Sequence, residues 1–403
     1  MDKSLGGNLP RIKIQNQFSI KEVIYKFGPI SRIEIAHRLD LTLPTITTCV
    51  SMMLKKGLLK EVEASTSVKA LGRKTMLVDI NESYGYFLGL EVRGSLRRAI
   101  VTDMRGNEVA SLSDETPYSD YSSTIESASS LALSLLEKAN LSLDDILSIG
   151  LTTPGIVDKK EGRLVIHPGY KWSDKNIRDD FASKTGYKGD IVVDNNTISR
   201  GYALSIFKGK SLDDIDTLAY MFISSGIGCP LFSGIKSHFG YVTGDGEVGH
   251  MVMNPNGPVC ACGNTGCLEA YSSEKVMLEK AENSSSSFLL EKKSRGFLTI
   301  EDIMDGYKRG DQDCIKIVDE AIKYLGLAIA NIDNFVRPEC VVVEGKVFSE
   351  EENRKKLLSI IQTNLYNAAS TNHRLIFLPQ DNFSGAKGAV AIAIMHALEL
   401  FLE

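Results

Sequence analysis

One stretch limits what this chain can fold into more than any other: Gly246 to Glu269, GEVGHMVMNPNGPVCACGNTGCLE. It places four soft or borderline metal donors, His250, Cys260, Cys262 and Cys267, among Gly, Asn and Pro residues that let a backbone wrap around one ion. Three thiolates and an imidazole form a tetrahedral set for zinc, and four protein donors leave no open position for water. The spacing therefore predicts one structural Zn2+ per chain, against the plainer alternative of a reduced, turn-rich loop. Two carboxylates, Glu247 and Glu269, bracket the donors. The metal needs neither, so both are available to bind something else.

At 403 residues the chain is too long for one ordinary core and is expected to hold two or three domains. Its 43% hydrophobic and 24% charged content is that of a soluble globular protein. No apolar run approaches the ~18 residues that span a bilayer, and the N-terminus has no apolar core followed by a cleavage site. Neither membrane attachment nor secretion is expected. Seven cysteines, an odd number without framework spacing, point to a reducing cytoplasm. Charge is distributed unevenly. Residues 1–80 carry 13 Lys and Arg against 7 Asp and Glu, a balance of +6, which leaves 33 against 44, or −11, for the rest. A basic head on an acidic body fits a nucleic-acid-binding module joined to a domain that does not bind nucleic acid.

The head has the elements for that task. Ile14 to Phe27 has helical apolar spacing and stops at Gly28-Pro29. Ser31 is placed to cap a second helix, with Glu34 completing a capping box and Ile33, Ile35, Ala36 and Leu39 as its apolar side. Thr42 is placed to cap a third, running to about Lys56. Two short helices joined by a tight turn read as a helix-turn-helix, with Thr42, Pro44, Thr45 and Thr48 facing the major groove of double-stranded DNA. On this reading Ile46, Val50, Met53 and Leu54 turn inward. Two strands, Leu58 to Val62 and Met76 to Ile80, frame a polar loop as a wing, where Arg73 and Lys74 suit phosphate or minor-groove contacts. The competing reading of so small a helical trio is a protein-interaction module.

From Tyr86 the pattern changes to strands joined by turns at Arg93-Gly94 and Arg105-Gly106, a helix over Thr124 to Asn140, and a buried strand from Ile146 that ends in TTPG. A similar strand, glycine turn and strand returns near Thr217. This echo predicts two lobes of like construction with a cleft between them. Ser284 to Ser287 reads as an exposed connection, Asp313 to Val336 as a long amphipathic helix, Cys340 to Glu344 as a buried strand, and the final GAKGAVAIAIMHALELFLE as a helix packing back on the first lobe.

GEVGH, followed ten residues on by CACGNTGCLE, resembles the signature of the ROK family, which groups sugar-responsive repressors with sugar kinases. GIG at 226–228 and TTPG at 152–155 fit the same pattern, and NGPVCACGNTGCLEAYSSEK is most similar to xylose-repressor-type members. The resemblance implies an α/β fold: a two-lobed, actin-like (ribonuclease-H-like) ROK domain behind a winged helix-turn-helix domain with helices and a β-wing. The expected divisions are residues 1–80 for the winged helix, 81–200 with 385–403 for the first lobe, and 201–384 for the second lobe with the zinc loop. The resemblance also implies a sugar site in the cleft, formed by Gly155, Asn195, Asn196, Glu247, His250 and Glu269. Carboxylates accept hydrogen bonds from hydroxyls, and an imidazole can bind metal through one nitrogen and donate through the other.

Within that resemblance, an ATP-dependent sugar kinase is the alternative to a repressor. ROK kinases place an aspartate general base just after the sugar-binding asparagine, where this chain has Asn196, and an amide takes no proton from a hydroxyl at neutral pH. Their opening acidic residue and Gly-Gly-Thr turn correspond here to Glu91-Val92-Arg93-Gly94-Ser95. An arginine in that turn obstructs close approach of phosphate to the backbone. The sequence therefore points to a non-catalytic, cytoplasmic, sugar-responsive repressor of carbohydrate metabolism. It would bind operator DNA as a homodimer, with a tetramer as the alternative assembly.

Overall fold

The computed structural model describes residues 8–63, 76–118, 120–207, 215–233, 236–237, 244–366 and 374–400. Two compact units divide the chain: Met1–Val165, Ser173–Asp213 and Gly385–Glu403 form one, and Ile166–Trp172 with Asp214–Ser384 forms the other. Among the described residues no helix is long and apolar enough to cross a membrane.

The first unit opens with α1 (Asn8–Phe27), β1 (Ile30–Ser31), α2 (Arg32–Leu39), α3 (Leu43–Lys55), β2 (Leu59–Glu63) and β3 (Met76–Ile80). The three strands form an antiparallel sheet in the order β1-β3-β2 beside the helices, a winged-helix arrangement. The local chemistry explains much of it. The hydroxyl of Ser31 accepts the Glu34 N–H at 3.1 Å, and Asp40 closes α2 in the left-handed conformation. Ile20, Ile24, Ile35, Ile46, Val50 and Met53 form the buried core of the head. Three sequence expectations need correction. Helix α1 begins six residues before Ile14. Ile33 lies outside the core, 70% exposed, because it sits on the opposite side of α2 from Ile35. The Glu34 carboxylate accepts from Arg38 one helical turn on, at 2.9 Å, instead of returning to the cap of α2. The wing tip expected between the two strands lies outside the described residues.

Next come β4 (Tyr86–Arg93), β5 (Leu96–Asp103), β6 (Glu108–Asp114), α4 (Tyr121–Lys138) and β7 (Ile146–Thr153). Asp120, whose side chain accepts the Ser123 N–H, starts α4 three residues before the expected Thr124. A small three-stranded sheet follows, β8 (Ile156–Asp158), β9 (Arg163–His167) and β10 (Trp172–Lys175), then α5 (Ile177–Thr185), β11 (Asp190–Asn195) and α6 (Asn196–Phe207). The main sheet of this unit runs β11-β7-β4-β5-β6. Its first three strands in sequence form an antiparallel meander, and β7 and β11 join parallel to β4.

The second unit repeats the plan. It contains β12 (Thr217–Ile223), β13 (Ile227–Gly228), β14 (Leu231–Ser233), β15 (Lys236–Ser237), α7 (Glu269–Ser272), α8 (Glu274–Glu282), α9 (Ser287–Ser294), α10 (Ile300–Lys308), α11 (Gln312–Phe335), β16 (Cys340–Glu344), α12 (Glu351–Asn364) and β17 (Arg374–Leu378). The order β15-β14-β12-β16-β17 again sets a meander beside two parallel additions. The internal echo read from the sequence is thus a true repeat of sheet order. Within the serine run, Ser286 is more than a connection: its hydroxyl accepts the Leu289 N–H and caps α9.

The chain returns to the first unit with α13 (Ser384–Leu400). Gly89 and Gly150, cross-strand partners on β4 and β7, make room for it. A Cβ on Gly89 would stand 2.4 Å from the Ala386 carbonyl oxygen, and one on Gly150 only 1.8 Å from that of Ala389. Helix and sheet backbones thus approach more closely than side chains allow, and the run of alanines in α13 completes the contact.

Candidate functional site

The four predicted metal donors converge. Their ligand atoms all lie within 4.8 Å of one another. The Cys262 and Cys267 sulfurs are 3.8 Å apart, and Cys260 Sγ is 3.7 Å from His250 Nδ1. Two thiolates about 2.3 Å from a common centre at the tetrahedral angle stand about 3.8 Å apart, so the geometry fits one small dication. The backbone builds this from turns. The Cys260 N–H donates to the Asn264 carbonyl, Gly263 donates back to Cys260, and isolated bridges pair Val252 with Cys267 and Val259 with Thr265. Gly266 is required here, because its φ is +76° and a Cβ would sit 1.6 Å from the Asn254 carbonyl oxygen. Burial, then the neighbouring thiols, push Cys267 up to about 12. A bound dication reverses that effect by stabilising thiolates.

The two flanking carboxylates hold different positions. Glu269 begins α7, and its Oε2 accepts the Ile227 N–H at 3.3 Å beside Gly226. Gly249, between Glu247 and His250, also has no space for a side chain, since a Cβ would meet the Ile227 carbonyl oxygen at 2.4 Å. Glu247 is half-buried. Burial raises its carboxyl above the ordinary range, opposed by His250 and reinforced by the charge of Glu269. Both acids therefore lie against the metal loop of the second unit, with their surroundings fixed by backbone.

Gly155, Asn195 and Asn196 belong to the first unit. Asn195 ends β11, and its amide nitrogen donates to the Gly155 carbonyl at 2.8 Å, while its amide oxygen accepts the N–H groups of Thr197 and Ile198. It thereby ties the TTPG turn to the start of α6. Asn196 is buried, and its carbonyl accepts from Arg200 at 3.3 Å. Asp194, two residues before Asn196, is also buried, ion-paired to Lys159 at 2.8 Å, and accepts the Asn195 N–H.

The sequence did not reveal what happens at Glu91. This carboxylate near the end of β4 is fully buried, and Arg200 on α6 donates to it at 2.9 Å with Arg93 at 3.8 Å. Burial alone would raise its pKa, but the charges of Arg200 and Arg93 outweigh that and hold it below the ordinary value. The turn that follows is gripped from behind by fully buried Arg97, which donates to the Gly94 carbonyl and to Asp114. Only a signal pairing an acid at 91 with an arginine 109 residues away could have identified the lock.

In the head, Thr42, Pro44 and Thr48 are exposed and Thr45 is partly so. Thr42 occupies the N-cap position of α3 without a side-chain cap bond, and its hydroxyl lies 2.9 Å from that of Thr45. Arg73 and Lys74 lie outside the described residues. A second feature missed by the sequence joins head to sheet. Arg105, in the turn between β5 and β6, pairs with Asp79 on β3, donates to the Tyr25 carbonyl of α1 and sits over the Tyr25 ring.

Comparison with known proteins bears on these sites. A model of the ROK family matches residues 87–396. The xylose repressor of Bacillus subtilis (strain 168) is 25% identical over 96% of this chain and 97% of its own length. The Escherichia coli (strain K12) DNA-binding transcriptional dual regulator NagC is 26% identical over 96% of this chain and 94% of its own. Among solved structures, a ROK family transcriptional regulator, a homolog of the E. coli MLC protein, superposes with a TM-score of 0.79 at 21% identity and covers 97% of this chain and 98% of its own. The ROK hexokinase from Thermus thermophilus gives 0.60 at 23% identity, covering 98% of that chain but 77% of this one. The two-lobed actin-like fold with a winged helix ahead of it is thereby established.

The ion pair gives a direct prediction. Glu91→Gln leaves Arg200 charged and uncompensated in a dry site, and is expected to destabilise the chain by about 3–5 kcal/mol in urea unfolding. Glu91→Gln with Arg200→Met is expected to recover most of that loss, because neither charge then remains buried.

Proposed function

This chain belongs to the ROK family, and we propose that within it the protein is a sugar-responsive transcriptional repressor and not a sugar kinase. The observation that carries this reading is the Glu91–Arg200 pair. A ROK kinase needs the corresponding acid and its glycine turn open to phosphate; here the acid is enclosed by guanidinium groups and the turn is held by Arg97. An amide at Asn196 supports the same conclusion, since it cannot act as a general base. The kinase reading would have to recruit Asp194, but that carboxylate is held by Lys159 and by backbone. Relatives named as repressors align over nearly the whole chain, head included.

The proposed division of labour follows. Thr42, Pro44, Thr45 and Thr48 of α3 meet base edges of double-stranded operator DNA, and Arg73 and Lys74 of the wing meet its backbone. Glu247, His250 and Glu269 in the second unit, and Gly155, Asn195 and Asn196 in the first, contribute to binding a monosaccharide. Xylose is the first candidate because relatives carry its name, followed by N-acetylglucosamine. The metal at His250, Cys260, Cys262 and Cys267 is a structural zinc that keeps the loop bearing both acids in one conformation. Two chains acting as a homodimer in the cytoplasm would match a palindromic operator.

Two experiments test this. Elemental analysis of the purified chain is expected to give about one zinc per chain, and Cys267→Ser is expected to lower that content and abolish the sugar response; a fully folded chain without metal contradicts the assignment. DNA from upstream of carbohydrate-utilisation genes, titrated with and without xylose or N-acetylglucosamine, is expected to bind specifically and to change affinity with one sugar, while a coupled ATP-consumption assay stays at background. Robust turnover without specific DNA binding would overturn the repressor reading.

A further inference from the structure

Helix α3 presents one face outward, formed by Leu43, Pro44, Thr47, Thr48 and Ser51, at the spacing i, i+1, i+4, i+5, i+8. The opposite face, Ile46, Cys49, Val50 and Met53, is buried. From Leu41 to Leu54 the chain has no Arg, Lys, Asn, Gln, Asp or Glu. Bidentate recognition of guanine by Arg or Lys, or of adenine by Asn or Gln, therefore has no supplier along the outward face before Lys55. Neighbouring arginines do not fill the gap. Arg32 is paired with Glu61 at 2.9 Å, and Arg38 is paired with Glu34 at 2.9 Å and lies over the Phe27 ring. The available hydroxyls are also partly committed: Thr48 donates to the Pro44 carbonyl at 2.9 Å, and the hydroxyls of Thr42 and Thr45 are bonded to each other. Toward the start of the helix what remains facing outward is hydrocarbon, with the hydroxyls of Thr47 and Ser51 as the polar groups further along the face. Leu43 is 45% exposed at the first turn of the helix, beside the ring of Pro44 and the methyl groups of the threonines.

The head carries a net charge of +6, so its occupant is a polyanion, and in the major groove only one group rewards an apolar face, the C5-methyl of thymine. We propose that α3 specifies its operator by apolar contact with thymine methyls, with Leu43 and Pro44 as the specificity-determining residues, and that the bases beneath it are T·A pairs. This rests on the repressor reading and adds to it what the helix reads and how.

The test uses the full-length chain and a random duplex library. Bound duplexes are selected, sequenced and resynthesised with deoxyuridine in place of thymine, one half-site at a time. Affinities are then compared by fluorescence anisotropy at fixed salt. The expected half-sites carry T·A pairs at their centre, and each removed methyl in contact lowers affinity about fourfold, the value of one buried methyl group. Leu43→Ala is expected to shrink the gap between thymine and deoxyuridine duplexes while leaving the salt dependence unchanged, since it touches no phosphate. Thr47→Val, which keeps a methyl and removes a hydroxyl, is expected to retain binding. Half-sites centred on G·C pairs, or deoxyuridine duplexes bound as tightly as thymine ones, would overturn methyl readout while leaving DNA binding intact. Failure to enrich any sequence would instead remove the repressor reading and this inference with it.

Discussion

The first unit is organised around a charge that never meets solvent. Glu91 lies near the end of β4, Arg200 rises from α6, and Gly385 lies in the first turn of α13, where a Cβ would stand 2.3 Å from the Glu91 carboxylate. Three elements far apart in sequence thus converge on one ion pair. Taking two ions from water costs several kcal/mol each, about what their attraction returns when the geometry is good, so the pair adds little net stability. Its importance lies in what it excludes. A carboxylate held on one side by guanidinium and approached on another by helix backbone is poorly placed to meet a phosphate or its metal, which is the basis of the proposed repressor reading. Repressor and kinase members of the family share one fold, and the proposed function of this chain rests on how that acid is partnered.

The second unit is organised differently. At the donors themselves the buried apolar cluster among the described residues is small, Cys260, Cys267 and Ala270, while Leu268, Val248 and Met253 tie the ends of the loop to the main core of the unit. A tetrahedral ion held by the four donors would add what this small cluster does not, and its binding would become part of the loop's folding free energy. The loop in turn fixes Glu269, because Gly226 and Gly249 leave room for the Ile227 backbone and the Glu269 carboxylate to meet. Preorganised acceptors of this kind suit hydroxyl-rich ligands.

Much of this was legible in the sequence, for reasons that differ by element. The donors were readable because metal ligation needs particular residue types at short spacing, and Cys260, Cys262, Cys267 and His250 have both. The repeated sheet order was visible as an echo of strand, glycine turn and strand, since a continuous buried run followed by a glycine turn leaves a local trace at Thr217 as at Tyr86. Helix starts were set by caps, and where no cap had been assigned, as for the helix that Asp120 caps, the boundary moved. Tertiary partners were not legible. The Arg200 that neutralises Glu91 is 109 residues from it, and the Arg105 that grips Asp79 and Tyr25 sits in a turn that reads as an ordinary hairpin end. Ile33 looked like core because helical spacing cannot show which side of a short helix has a neighbour.

Through Arg105 the head is joined to the same sheet whose far strand carries Asn195. In the proposed function, sugar and DNA act on one equilibrium between conformations, so each must change the other's affinity by the same factor. The most direct measurement is calorimetric titration of the effector sugar into the free protein and into its operator complex. The account predicts that the ratio of the two sugar affinities equals the ratio by which that sugar changes operator affinity. Equal sugar affinity in both titrations, alongside a sugar-dependent change in operator binding, would contradict it.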